Sequence, residues 1–248
     1  MASQENTTRH TVSAYEEELS QLNSGILRLG GLVESQISDA VRAMSKRDSQ
    51  QAEMVIRKDV DLDELEEEIN ELAVLVLARR QPMARDLRVI VSAIKIAGDL
   101  ERIGDYAKNI SKRSLVINQA PPISSIRTIP RMAELVQRML GDVLGAYVHL
   151  DAAKAREVWE DDQEVDELYN SLFRELLTYM MEDPRNITAA THLLFVAKNI
   201  ERMGDLVTNI AERIYFTATG SQIEDQRPKR DVTSMTDVDG QTVDGGAD

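Results

Sequence analysis

Acidic residues spaced four apart occur at Asp59/Asp63, Glu101/Asp105, Asp162/Asp166 and Glu201/Asp205. On an α-helix such residues share one face, separated by about 6 Å along the axis. Like charges there repel, at a cost of roughly a few tenths of a kcal/mol per pair. A hard divalent or trivalent cation, which prefers carboxylate oxygens, reverses the sign of that interaction. Two such pairs on adjacent helices supply four carboxylates to one ion or a small cluster. The competing use of the same residues is a solvated acidic face.

The pairs recur because the chain repeats itself. Residues 97–113, AGDLERIGDYAKNISKR, align without a gap with residues 197–213, AKNIERMGDLVTNIAER, sharing Ala97/Ala197, Glu101/Glu201, Arg102/Arg202, Gly104/Gly204, Asp105/Asp205, Asn109/Asn209, Ile110/Ile210 and Arg113/Arg213. Upstream, Asp48, Asp59 and Asp63 return 103 residues later as Asp151, Asp162 and Asp166, and Pro82 returns as Pro184. An internal repeat of this kind means one structural unit used twice. Gly104 and Gly204 stand between paired acids, at a cost of ~1 kcal/mol relative to alanine in a helix. Each makes room either for a ligand or ion at the backbone or for a closely packed neighbouring helix. Asn109 and Asn209 follow one turn after the acids, where they could support a bound ion from behind.

The elements that carry these residues are helices. Leu22, Ile26, Leu29, Val33, Ile37, Val41 and Met44 recur by threes and fours, predicting a helix from about Thr11 to Lys46. Asp48 is the expected N-cap of a second helix reaching about Arg80, and Pro82 ends it and starts a third to about Val116. The second unit follows the same plan: a helix over about 126–148, one capped by Asp151 to about Met181, and one led in by Asp183–Pro184 to about Thr219. The fold expected is all-α, two tandem three-helix bundles: residues 11–118 and 126–219, a linker at 119–125, and a disordered acidic tail at 220–248 that carries seven acids and three bases. At 100° per residue, Glu101 and Asp105 fall about 140° and about 180° from the apolar stripe of their helix, and Asp59 and Asp63 about 100° and about 140° from theirs. The acids are therefore expected on the outside of the bundle.

Composition removes several functions. A net charge of −14 argues against nucleic acid as the main partner, since phosphate backbones demand clustered Lys and Arg. There is no cysteine, hence no disulfide framework and no thiolate metal site. No uncharged apolar run is long enough to span a membrane, and the N-terminus lacks an apolar signal core, so a cytoplasmic protein is expected. A buried di-iron centre needs Glu-x-x-His, and none of His10, His149 and His192 follows a Glu by three. Neither a phosphate-binding glycine loop nor a Ser/His/Asp constellation is present. A metal-dependent phosphoester hydrolase and a metal-free acidic scaffold both remain open on composition and motifs alone.

The segments DLERIGDYAKNI and NIERMGDLVTNIAE, the RQPMARDLR stretch before the third helix, and the duplicated plan resemble the PhoU family of bacterial phosphate-signalling accessory proteins over about residues 11–218. That resemblance implies a cytoplasmic, non-enzymatic regulator, usually a homodimer. It implies negative control of phosphate uptake and of the phosphate-starvation genes. The regulator would couple the ATPase of a phosphate ABC transporter to a two-component sensor histidine kinase, and would meet the membrane only through those partners. It further implies metal ions, iron, manganese or magnesium among them, on Asp59, Asp63, Glu101 and Asp105 and on Asp162, Asp166, Glu201 and Asp205. The second unit departs from the first at Lys198 and Asn199, where the first has Gly98 and Asp99.

Overall fold

The computed structural model describes residues 2–121 and 127–224, with side chains from Ala14 onward. Among these residues the elements are α1 (Ala2–Lys46), α2 (Ser49–Lys58), α3 (Val60–Arg80), α4 (Ala84–Ile117), α5 (Thr128–His149), α6 (Ala152–Glu182), a short 3-10 turn (Pro184–Asn186) and α7 (Ile187–Thr219), with no strand. The expected all-α duplicated bundle is thus observed. Most of the linker and the tail beyond Glu224 lie outside the described residues.

Both units turn the same corner in the same way. Arg47 (φ 56°) and Leu150 (φ 48°), 103 residues apart, adopt the left-handed conformation that closes a helix. The N–H of the next residue returns across the turn, Asp48 to the Ala43 carbonyl at 2.8 Å and Asp151 to that of Ala146 at 3.0 Å. Each aspartate then caps the following helix. Asp48 accepts from the Gln51 N–H at 3.0 Å, and Asp151 from the Ala153 and Lys154 N–H groups at 3.0 Å each. These are the caps that the sequence predicts.

Two details depart from expectation. The single helix predicted over 49–80 is interrupted at Asp59, whose φ −61° and ψ −32° stay helical but whose carbonyl receives the Leu62 N–H in a tighter turn at 2.9 Å. Pro82 ends α3, but α4 starts two residues later at Ala84, after Gln81 turns left-handed (φ 49°). Pro184 instead opens the 3-10 turn that leads into α7.

One apolar cluster runs through both units, from Leu22 on α1 to Ile214 on α7. α4 lies against α7, where the Ser92 and Thr217 hydroxyls meet at 2.7 Å and Arg213 donates to Asp99 at 2.9 Å. As the residue number rises on α4 it falls on α7, so the two helices are antiparallel. α1 meets α5 in the same sense: the Tyr147 hydroxyl donates to Asn23 at 2.8 Å, and Gln137 donates to the Glu34 carbonyl at 3.3 Å. The repeats are therefore fused by their long helices.

Candidate functional site

In the first unit, Asp59, Asp63, Glu101 and Asp105 converge from the α2–α3 junction, α3 and α4. Asp59 is buried (3% exposed) and accepts from the Gln36 amide of α1 at 3.3 Å. Lys108, one turn beyond Asp105 on α4, donates to Asp59 and, at 3.2 Å, to Asp105. Hydrogen bonding to Asp59 raises the Lys108 pKa further, which holds the ammonium charged. That single cation does not balance the cluster. Burial, then the charges of Asp105, Asp63, Glu66 and Asp59, push the Glu101 carboxyl up to about 7. Asp63 is raised as well, by burial and by Asp59.

The second unit solves the same problem with a different lysine. Asp162, Asp166 and Glu201 are 2%, 3% and 4% exposed. Lys198, one turn before Glu201, donates to it at 2.8 Å and lies 4.9 Å over the Tyr169 ring. The position equivalent to Lys108 is Thr208, a buried hydroxyl that donates to the Gly204 carbonyl at 2.9 Å. Sequence reasoning missed both lysines as counter-ions. Their i,i+3 spacing from Asp105 and Glu201 was the available signal, but they do not align between repeats. Gln36 carried no signal of this kind.

The expectation that the acids lie outside the bundle is corrected for Asp59, Asp162, Asp166 and Glu201, which are buried. A helical wheel assumes one packed face. Here α2 lies against both α1 and α4, and α7 lies against α4, α5 and α6, so faces opposite the main stripe are covered too. Asp63 is exposed, while Glu101, Asp105 and Asp205 are intermediate. Asn109 and Asn209 are half-buried, and Asn209 lines a cleft between α4 and α7.

The glycines between the acids serve close packing. A Cβ on Gly104 would come within 2.9 Å of Leu62 Cδ1 and 3.2 Å of Gln36 Oε1, and one on Gly204 within 2.9 Å of Asp162 Oδ1. Gly204 thus admits a buried carboxylate of α6 against the backbone of α7.

The donor set suits a hard cation: it is all oxygen, and Glu101 is raised by burial and then by four neighbouring carboxylates. Among the described residues, no three His, Asp or Glu side chains already form a group spaced to hold a metal ion. Lys108 stands between Asp59 and Asp105, where a cation would have to compete with it.

The duplication also decides the kinship. The family model described as the PhoU domain matches residues 26–114 and again residues 129–214. This chain belongs to the PhoU family. It is 54% identical over 229 residues, 92% of this chain and 100% of the relative, to a Caulobacter vibrioides protein named phosphate-specific transport system accessory protein PhoU homolog. A Rhizobium meliloti protein of the same name is 50% identical over 91% of this chain and 95% of its own length. The crystal structure of PhoU from Pseudomonas aeruginosa is similar with a TM-score of 0.80 and 38% identity, covering 84% of this chain and 100% of the other. That of the phosphate transport system regulatory protein PhoU from Streptococcus pneumoniae gives 0.78 at 30% identity, covering 85% and 99%. Each PhoU domain carries one acid cluster, so the two sites are duplicates that differ in their resident lysine. No helix among the described residues is long and apolar enough to cross a membrane.

Proposed function

We propose that this chain is a non-catalytic accessory protein of a phosphate transport system. In this reading it restrains phosphate uptake and the phosphate-starvation genes by coupling the transporter's ATPase to a sensor histidine kinase in the cytoplasm. The observation that carries the reading is the 54% identity to a named phosphate-transport accessory protein along all of that relative's length. The fold suits such a role, since long fused helices offer extended faces for docking and the polar clusters are built from carboxylates and lysines. Deleting the gene should raise expression of phosphate-uptake genes in phosphate-rich medium, read by a reporter fusion. Normal repression in the deletion strain, together with no capture of kinase or transporter ATPase by the purified protein, overturns it.

The same reading assigns metal ions to the acid clusters, Asp59, Asp63, Glu101 and Asp105 in the first domain and Asp162, Asp166, Glu201 and Asp205 in the second. A divalent or trivalent ion such as iron, manganese or magnesium would supply the positive charge that Lys108 alone does not provide, and a homodimer would present the clusters twice over. The Glu101→Ala/Asp105→Ala double variant should lose metal from the first domain while retaining the fold. Unchanged metal content by elemental analysis rejects the assignment.

A further inference from the structure

Between the first half of α4 and the last half of α7 lies a cleft of about 720 Å³ lined by Leu87, Arg88, Ser92, Lys95, Arg213 and Phe216. Three cations from the two repeats reach it, in a chain whose net charge is −14. Two carboxylates stand beside them. Glu212 lines the cleft and accepts from the Trp159 indole at 3.0 Å, and Asp99 accepts from Arg213 at 2.9 Å. An excess of one positive charge remains. Lys95 has no ion-pair partner among the described residues, and Arg88 Nε is buried without a hydrogen-bond acceptor. Arg113 Nε of the other repeat is buried and unpaired in the same way, so what distinguishes Arg88 is its place on the wall of the cleft. The Arg88 guanidinium is also positioned: it lies 6.0 Å over the Phe216 ring and 3.8 Å from where a Cβ on Gly220 would stand.

The duplication supplies an internal control. One hundred residues on, Arg88 is replaced by Thr188 and Lys95 by Phe195, and Phe216 corresponds to Val116. At that equivalent place the Phe195 ring lies 4.2 Å beneath Arg113, the counterpart of Arg213, and covers its guanidinium. One copy of the α4–α7 contact buries its arginine under an aromatic ring. The other leaves it half-exposed, paired with Asp99, beside an exposed lysine and a second arginine.

We infer that this cleft binds a phosphoryl group carried by a small molecule, with Arg88, Lys95 and Arg213 holding the oxyanion and Leu87 and Phe216 against the rest of the ligand. Arginine forks match phosphate oxygens, and lysine adds a point charge. The volume falls in the range of about 300–1,000 Å³ of small-molecule sites, which favours an ester with an organic body over the bare ion. The inference stands apart from the regulatory reading and from the acid clusters. It is tested by calorimetric titration of the full chain at low salt with ADP, inorganic phosphate and adenosine. ADP should bind saturably at one per chain and adenosine should give no saturable heat. Lys95→Gln and Arg88→Gln should each weaken binding by about tenfold while thermal melts stay those of the parent. ADP binding tighter than phosphate assigns an ester, and equal affinities assign the free ion. Neither probe binding up to millimolar concentration, or both variants binding like the parent, overturns the site.

Discussion

Glu101 sits in an environment at odds with its charge. Its carboxyl rises from an ordinary 4.5 to about 7, through burial first and neighbouring acids second. The folded chain therefore holds this proton more tightly than the unfolded chain. The stabilisation is complete below about pH 4.5 and is lost as pH climbs to about 7. In metal-free protein, Glu101→Gln should flatten the stability–pH profile over that window and be the more stable form above it, as denaturant melts across pH will show. Added Mn2+ should stabilise the parent at neutral pH and leave the variant less affected. The glycines separate by surroundings in the same way. Gly204→Ala forces a methyl towards Asp162 Oδ1 and should cost about 1–3 kcal/mol. Gly145→Ala, on an exposed position of α5 with nothing within 4 Å, should stabilise by roughly 0.5–1 kcal/mol. The recurrence of Glu101, Asp105 and Gly104 was legible in the sequence because both copies keep them. The burial of Asp59 was not, since it depends on Gln36 and Lys108 arriving from other helices.

At the scale of elements, the sequence was most informative where local chemistry is self-contained. Asp48 and Asp151 cap their helices through their own side chains, and each follows a left-handed residue, Arg47 or Leu150. Asp151→Ala should accordingly lower stability by about 1 kcal/mol, with Asp151→Asn close to the parent in a thermal melt. The break between α2 and α3 was invisible because Asp59 is an ordinary helix residue by type. What singles it out is a carboxylate held by α1 and α4. Four of the acids are buried against the helical-wheel expectation for a related reason: α2 lies against α1 and α4, α6 against α5 and α7, and α7 against α4, α5 and α6, so these helices have no single outer face.

For the whole molecule, fusion of the repeats along α4 and α7 matters more than their separate cores. The apolar cluster crosses between them, and Asp99–Arg213 and Ser92–Thr217 tie the seam. Trp159, the only tryptophan, sits in the second repeat, whereas far-UV circular dichroism reports both. Unfolding followed by the two signals should give coincident curves in urea. Separate midpoints would mean that the halves unfold independently. Duplication could be read from the sequence alone, but the seam could not: it joins residues more than a hundred apart whose types, Ser, Thr, Asp and Arg, suit a surface equally well.

The two resident lysines show how differently the two halves reach the same end. Lys108 in one half and Lys198 in the other approach their acids from opposite ends of the segment, so both halves carry the positive charge but at different addresses. Selection on such a patch acts on a local electrical sum, and any site within a side chain's reach can contribute to it. The first half has room for the alternative solution, since a Cβ at Gly98 would meet only Glu66 Oε1, at 3.8 Å. Moving the charge by Gly98→Lys with Lys108→Thr would place the lysine of the first half where the second half carries its own.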